Sequence, residues 1–130
     1  MQHITGIPRN QMRFTSLEDS ISQENPVRFI EAFVENISLK TLGFSTQTIK
    51  AEGRPSFNSK VFLKIYLYGY LNGLRSSRKL EKECFRNLEL QWLLCGIIPN
   101  YHSISDFRKD NPAGLKKLFK LFVSFLKDAD

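Results

Sequence analysis

The chain has 130 residues and a formal net charge of +6, a length that suits one domain with a real core and is short for two. No apolar run approaches the roughly eighteen residues of a membrane span, and two cysteines are too few for a disulfide framework. Through Gly53, five Lys and Arg stand against six Asp and Glu, whereas from Arg54 onward fourteen stand against seven; this concentration of positive charge points to a polyanion, nucleic acid before an anionic membrane surface, with a merely basic soluble protein as the bland alternative.

In chain order, residues 1–24 are polar with scattered apolar anchors and are expected to form an N-terminal arm. Its first stretch, MQHITGIPRNQMRF, has neither a continuous apolar segment nor a small-residue cleavage site, so no signal peptide is expected. Cys84 and Cys95 are accordingly expected as buried thiols in a reducing cytoplasm. Asn25-Pro26 opens a helix, because asparagine is a good N-cap and proline suits the first helical position. Val27, Ile30, Phe33, Val34 and Ile37 give that helix one apolar face, and it is expected to run to just before Gly43.

Residues 44–55 are expected as a connector, with Thr46, Thr48 and Ile49 able to make a short strand that Gly53-Arg54-Pro55 would stop. Asn58 caps the next helix. From Val61 to Leu71 that helix is apolar on nearly every side, which predicts a central helix packed by others. Gly69 weakens it by about 1 kcal/mol relative to alanine, so a close approach of a neighbouring helix is expected there. Gly73 ends it in a left-handed conformation. Ser76 or Ser77 then caps a helix from Arg78 to about Arg86, and Asn87 caps another from Leu88 to Cys95 that stops at Gly96. Residues 97–100 connect to Ser103-Ile104-Ser105-Asp106, which has the form of a capping box and predicts a short helix from Ile104 to about Asp110. Asn111-Pro112 starts the last helix, whose Leu115, Leu118, Phe119, Phe122, Phe125 and Leu126 form one stripe flanked by lysines. The expected fold is all-α, a compact bundle of about six helices spanning 25–130.

Two features carry chemistry. The successive short helices 88–95 and 104–110 have the form of a helix-turn-helix, in which the second helix enters the major groove and its early residues meet base edges. Those residues are His102, Ser103, Ser105, Arg108 and Lys109; arginine can grip guanine bidentately, and serine and histidine can take base or phosphate contacts. An ordinary helical hairpin with a polar outer face fits the same pattern. The second feature is Arg75-Ser76-Ser77-Arg78-Lys79. A helix N-terminus offers free amides and partial positive charge, so it is a natural phosphate site, and cations placed there oppose the helix unless an outside anion answers them. A solvated basic turn is the alternative. The two histidines, His3 and His102, are far apart, the cysteines have no partners at zinc-ligand spacing, and there is no P-loop and no G-x-S-x-G. No metal site is expected. The final aromatic stripe suits core packing or a partner, including self-association through the 112–127 helix.

The stretch from Gly53 to Asn111 resembles the N-terminal domain of insertion-sequence transposases, the InsH-like group of DDE transposases. The resemblance is carried by Tyr68-Gly69-Tyr70-Leu71-Asn72, by Arg75 to Glu81, by Asn87 with Trp92-Leu93, and by Ile104 to Asn111; Asn25-Pro26-Val27-Arg28 is similar to the family's leading segment. It implies a bacterial mobile-element protein whose N-terminal domain binds the double-stranded DNA of terminal inverted repeats. It implies that a metal-binding acidic triad belongs to a later RNase-H-like domain, where two divalent ions promote in-line attack at phosphorus. No acidic residue here matches that triad, so this chain is expected to be non-enzymatic by itself, with no cofactor, and to be a truncated copy, an excised piece or one part of a split reading frame. DNA contacts are expected from Arg54, Arg75, Ser76, Ser77, Arg78, Lys79, His102, Ser103, Ser105, Arg108 and Lys109, in a cytoplasmic, nucleoid-associated setting without membrane contact. The rival expectation is a protein–protein module, dimerising or regulatory.

Overall fold

The computed structural model describes residues 2–44 and 57–129. Among them a 3₁₀ turn, Glu18–Ser20, precedes seven helices: α1 (Val27–Asn36), α2 (Leu39–Leu42), α3 (Ser59–Asn72), α4 (Ser77–Arg86), α5 (Leu88–Leu93), α6 (Tyr101–Asp110) and α7 (Pro112–Ala129). The described residues contain no strand. The possible strand over Thr46, Thr48 and Ile49, the Gly53-Arg54-Pro55 stop, and Arg54 as a DNA contact lie outside the described residues.

Asn25 acts as expected, its side-chain oxygen accepting from the Val27 amide at 2.9 Å. The helix it opens is shorter than expected. Ile37 turns to extended backbone, and the Ser38 hydroxyl accepts from the Thr41 amide to start a separate turn of helix, α2, which ends at Gly43. Serine competes for backbone amides and favours caps over helix interiors, so the apolar period alone overran the break.

α3 is the central helix. Every residue from Val61 to Gly69 except Lys64 is buried, and α1 and α5 pack against it. Asn58 caps it through the Lys60 amide at 2.9 Å, and Gly73 closes it at a φ of 70°, a conformation in which other side chains are strained. The close approach at Gly69 is real, but its main source is local: a Cβ there would lie 2.5 Å from the Leu74 carbonyl oxygen and 3.2 Å from the Leu80 side chain of α4. The chain folds tightly back on α3 before α4 begins.

Lys64 is held between Glu31 at 2.9 Å and Glu35 at 3.0 Å on α1. Burial alone would lower its pKa; the two carboxylates outweigh that and raise it. Deeper in, the Tyr68 hydroxyl donates to Glu89 at 2.6 Å and accepts from the Asn87 amide at 3.0 Å, while the Asn25 amide reaches the other Glu89 oxygen at 2.8 Å. Burial and the adjacent Glu89 carboxylate push the Tyr68 hydroxyl far above its ordinary range, so it stays a donor. This network fixes α3 against the start of α1 and the α4–α5 junction.

Part of the expected 1–24 arm is fastened to the bundle. Ile21 is buried, Arg28 bonds the Ile21 and Ser22 carbonyls and the Glu18 carboxylate, and Glu18 accepts from the Trp92 indole at 2.8 Å. Residues 2–16 have no helix or strand and are exposed.

α7 closes the core from the other side. Leu115, Leu118 and Phe122 are buried, and the Phe122 and Phe125 rings lie 5.1 and 5.3 Å from Phe33 of α1. The stripe therefore packs inside this chain, and pairing through Phe122 would require opening the fold. Cys84 is buried as expected, its thiol pushed up to about 12 chiefly by burial, whereas Cys95 is exposed.

Candidate nucleic-acid interface

The Ser76 hydroxyl accepts from the Lys79 amide at 3.4 Å, which settles the choice between Ser76 and Ser77 as the α4 cap. Arg75, Ser76, Arg78 and Lys79 are exposed and Ser77 is half-buried. Lys82 and Phe85, which belong to neither basic cluster in the sequence, are exposed further along α4; the signal for Lys82 was its position three residues after Lys79, close to one turn of helix.

α6 begins earlier than expected. Asn100 is its cap, the side-chain oxygen accepting from the Ser103 amide at 2.8 Å, so the capping box at Ser103 does not form. Ser103 lies inside the first turn and is half-buried. Asn100, read in the sequence as the end of a connector, is thus the cap, and Tyr101 is held at the start of the helix: its amide donates to Glu81 of α4 at 3.1 Å. With this frame, His102, Ser105, Asp106 and Lys109 form one exposed ridge at helical spacing, and Ile104 and Phe107 face inward. Asp106 is the unforeseen member, since the capping-box pattern gives it a different task.

α5 ends at Leu93, and residues 94–96 turn through two consecutive positive-φ positions, Cys95 and Gly96. α6 then packs chiefly on α4, with a lesser contact to α7, and α4 also carries α5. The expected pairing of 88–95 with 104–110 as a helix-turn-helix is thus not the principal packing of α6; α4 is its main support. The Tyr66 hydroxyl donates to the Ile104 carbonyl, and the Phe107 ring stacks 4.9 Å from Phe62, which pins α6 to the central helix.

These supports bring the two separately noted clusters together. The Arg78 guanidinium lies 4.4 Å over the Tyr101 ring and donates to its hydroxyl at 3.3 Å, and the Tyr101 ring in turn lies 4.0 Å from that of His102, tilted by 33°. At the other end, Arg108 donates to the Arg75 carbonyl at 3.3 Å and lies 5.0 Å over Tyr66. Arg108, itself exposed, thus leans back on the α3–α4 turn and off the ridge. Among the described residues, every ion pair involves Arg28, Lys60, Lys64 or Arg86. The cations of this surface, Arg75, Arg78, Lys79, Arg108 and Lys109, make none there. Its donors are guanidinium, ammonium, hydroxyl and imidazole groups, a set suited to anionic oxygens and unsuited to a divalent ion. No group of three or more His, Cys, Asp or Glu among the described residues could hold a metal.

Residues 15–110 match the family described as Transposase domain (DUF772). The chain belongs to this transposase domain family. The match runs from the fastened end of the arm to the last residue of α6, so the joined surface lies wholly within the transposase domain and α7 lies beyond it. Neither a curated protein nor a solved structure matches the chain. No helix among the described residues is long and apolar enough to cross a membrane.

Proposed function

We propose that this transposase domain is the DNA-binding N-terminal part of an insertion-sequence enzyme of the InsH-like, DDE-class type, and that it recognises the element's terminal inverted repeats. The observation that carries the reading is the joining of two basic clusters, 75–79 and 102–109, into one surface whose cations have no acidic partner among the described residues. Such cations attract phosphates, and each phosphate neutralised releases counterions, which is the main source of affinity for a duplex. Arg75, Arg78 and Lys79 with the capped start of α4 supply backbone contacts; His102, Ser105, Asp106 and Lys109 on the α6 ridge supply groove contacts. An aspartate suits that ridge, since carboxylates accept from the cytosine amino group in the major groove. Any divalent metals of strand transfer would be held by acidic residues other than those of this surface. The chain then works on nucleoid DNA in the cytoplasm.

The test is equilibrium binding of the purified chain to a terminal inverted repeat and to a scrambled duplex, each at two salt concentrations. The expected result is tighter binding to the repeat and weakening of both as salt rises. A folded chain that binds neither duplex overturns the reading.

A further inference from the structure

A groove of about 510 Å³ lies between the end of α3, the turn into α4, the end of α6 and the start of α7, a volume within the ~300–1,000 Å³ range of small-ligand sites. Tyr70, Leu74 and Phe119 give it apolar and aromatic walls, Arg75, Arg108 and Lys116 supply cations, and no acidic residue lines it among the described residues. Tyr70 is 54% exposed and its ring lies 5.3 Å from Phe119, the two planes tilted by 35°. The two rings pack into one aromatic wall whose exposed Tyr70 can meet a planar group, and three cations offer themselves to an anion carried by the same ligand.

We propose that the groove holds a single unpaired nucleotide of the bound DNA, its base against Tyr70 and Phe119 and its phosphates against Arg75 and Lys116. The proposal rests on the DNA-binding reading above. A duplex is too wide to enter, whereas one nucleotide carries both the aromatic plane and the negative charge that the groove complements. Arg75 and Arg108 belong at once to the groove and to the joined basic surface, so a strand lying on that surface passes the groove mouth. An acidic peptide with an aromatic side chain has similar chemistry, but nothing else on the surface selects for it.

The experiment compares three labelled DNAs by anisotropy with the full chain: a blunt duplex, the same duplex with one unpaired terminal nucleotide, and that overhang with the base removed. Charge is equal in the last two. The base-bearing overhang is expected to bind about tenfold tighter than the abasic one, in line with base stacking on aromatic side chains. Tyr70→Ala should erase that difference and leave blunt-duplex affinity and its salt slope unchanged, while Tyr70→Phe should keep it. Lys116→Ala should weaken the overhang and spare the blunt duplex. Equal binding of the base-bearing and abasic overhangs, with blunt binding intact, overturns the nucleotide and leaves the DNA-binding reading standing. Failure of the unaltered chain to bind any of the duplexes overturns both. An acidic aromatic peptide whose binding depends on Tyr70, with no base effect on DNA, assigns the groove to a protein partner and likewise overturns the nucleotide.

Discussion

Arg78 and Arg108 look alike in the sequence and differ in situation. Arg78 stacks on Tyr101 from an exposed position at the start of α4 and keeps donors for an outside anion. Arg108 already bonds the Arg75 carbonyl and covers Tyr66, so Arg108→Ala would disturb the α3–α4 turn as well as any base contact. Even lysine there would lose the planar stack. Phosphate binding is therefore better tested at Arg78 and Lys79. Replacing both with alanine is expected to weaken binding to specific and random duplexes alike and to lower the log–log salt slope by about 1 for each phosphate that is no longer neutralised. A titration across salt concentrations reads this directly, and an unchanged slope would remove both residues from the phosphate surface.

Elements begin where a cap and a tertiary contact agree. For α6 the sequence pointed to Ser103, whereas the helix starts from Asn100, where Glu81 on α4 also receives the Tyr101 amide. Asn100→Ala should destabilise the fold by about 1 kcal/mol, as typical for loss of a cap, whereas Ser103→Ala should cost much less. Urea unfolding followed through Trp92, the single tryptophan, would separate them; the reverse order would restore the capping box. The same competition explains α1 and α2, where an apolar face continues past a serine that the backbone uses as a new start. Asn111 behaves differently again: Pro112 does begin α7, yet the Asn111 amide points back and donates to the Phe107 carbonyl at 2.9 Å. Proline's position is dictated by its own ring, while an asparagine side chain serves whichever neighbour packing brings within reach.

At the scale of the molecule, α7 completes a core that α1 and α3 begin, and Phe122 is its hub, fully buried against Phe33. Phe122→Ala should cost about 3–5 kcal/mol, a large share of the roughly 5–15 kcal/mol that such domains have. Thermal unfolding with calorimetry measures it; a loss below about 1 kcal/mol would mean that α7 is not part of the cooperative unit. Stability should also fall in acid. Hydrogen bonding from Lys64 holds the Glu35 carboxyl below its ordinary range, as the Asn87 amide and then Arg86 do for Glu83. A lowered carboxyl pKa contributes stability above the unfolded value and loses it as pH falls through the folded one. Lys64, raised, contributes below its unfolded value and loses that only in alkali, so the pair is intact throughout the neutral range. Glu35→Gln should flatten the acid limb of a stability–pH curve, and an unaltered limb would show that the pair contributes nothing there.

The all-helical class, the central place of α3, its ends at Asn58 and Gly73, and the two basic clusters were legible in the residues. Each depends on short-range rules: apolar period, cap chemistry, the steric freedom of one glycine, the charge of neighbours in the chain. What could not be read was that Arg75–Lys79 and His102–Lys109 share one surface, that Arg108 leans back on the α3–α4 turn while Asp106 stands on the ridge, and that Tyr70 and Phe119 pack together in the wall of a groove. Those juxtapositions depend on how α6 and α7 are docked on α3 and α4. Docking is fixed by a few long-range contacts, Tyr66 to Ile104, Glu81 to Tyr101 and Phe33 to Phe122, and no spacing in the sequence announces which distant residue will supply the partner.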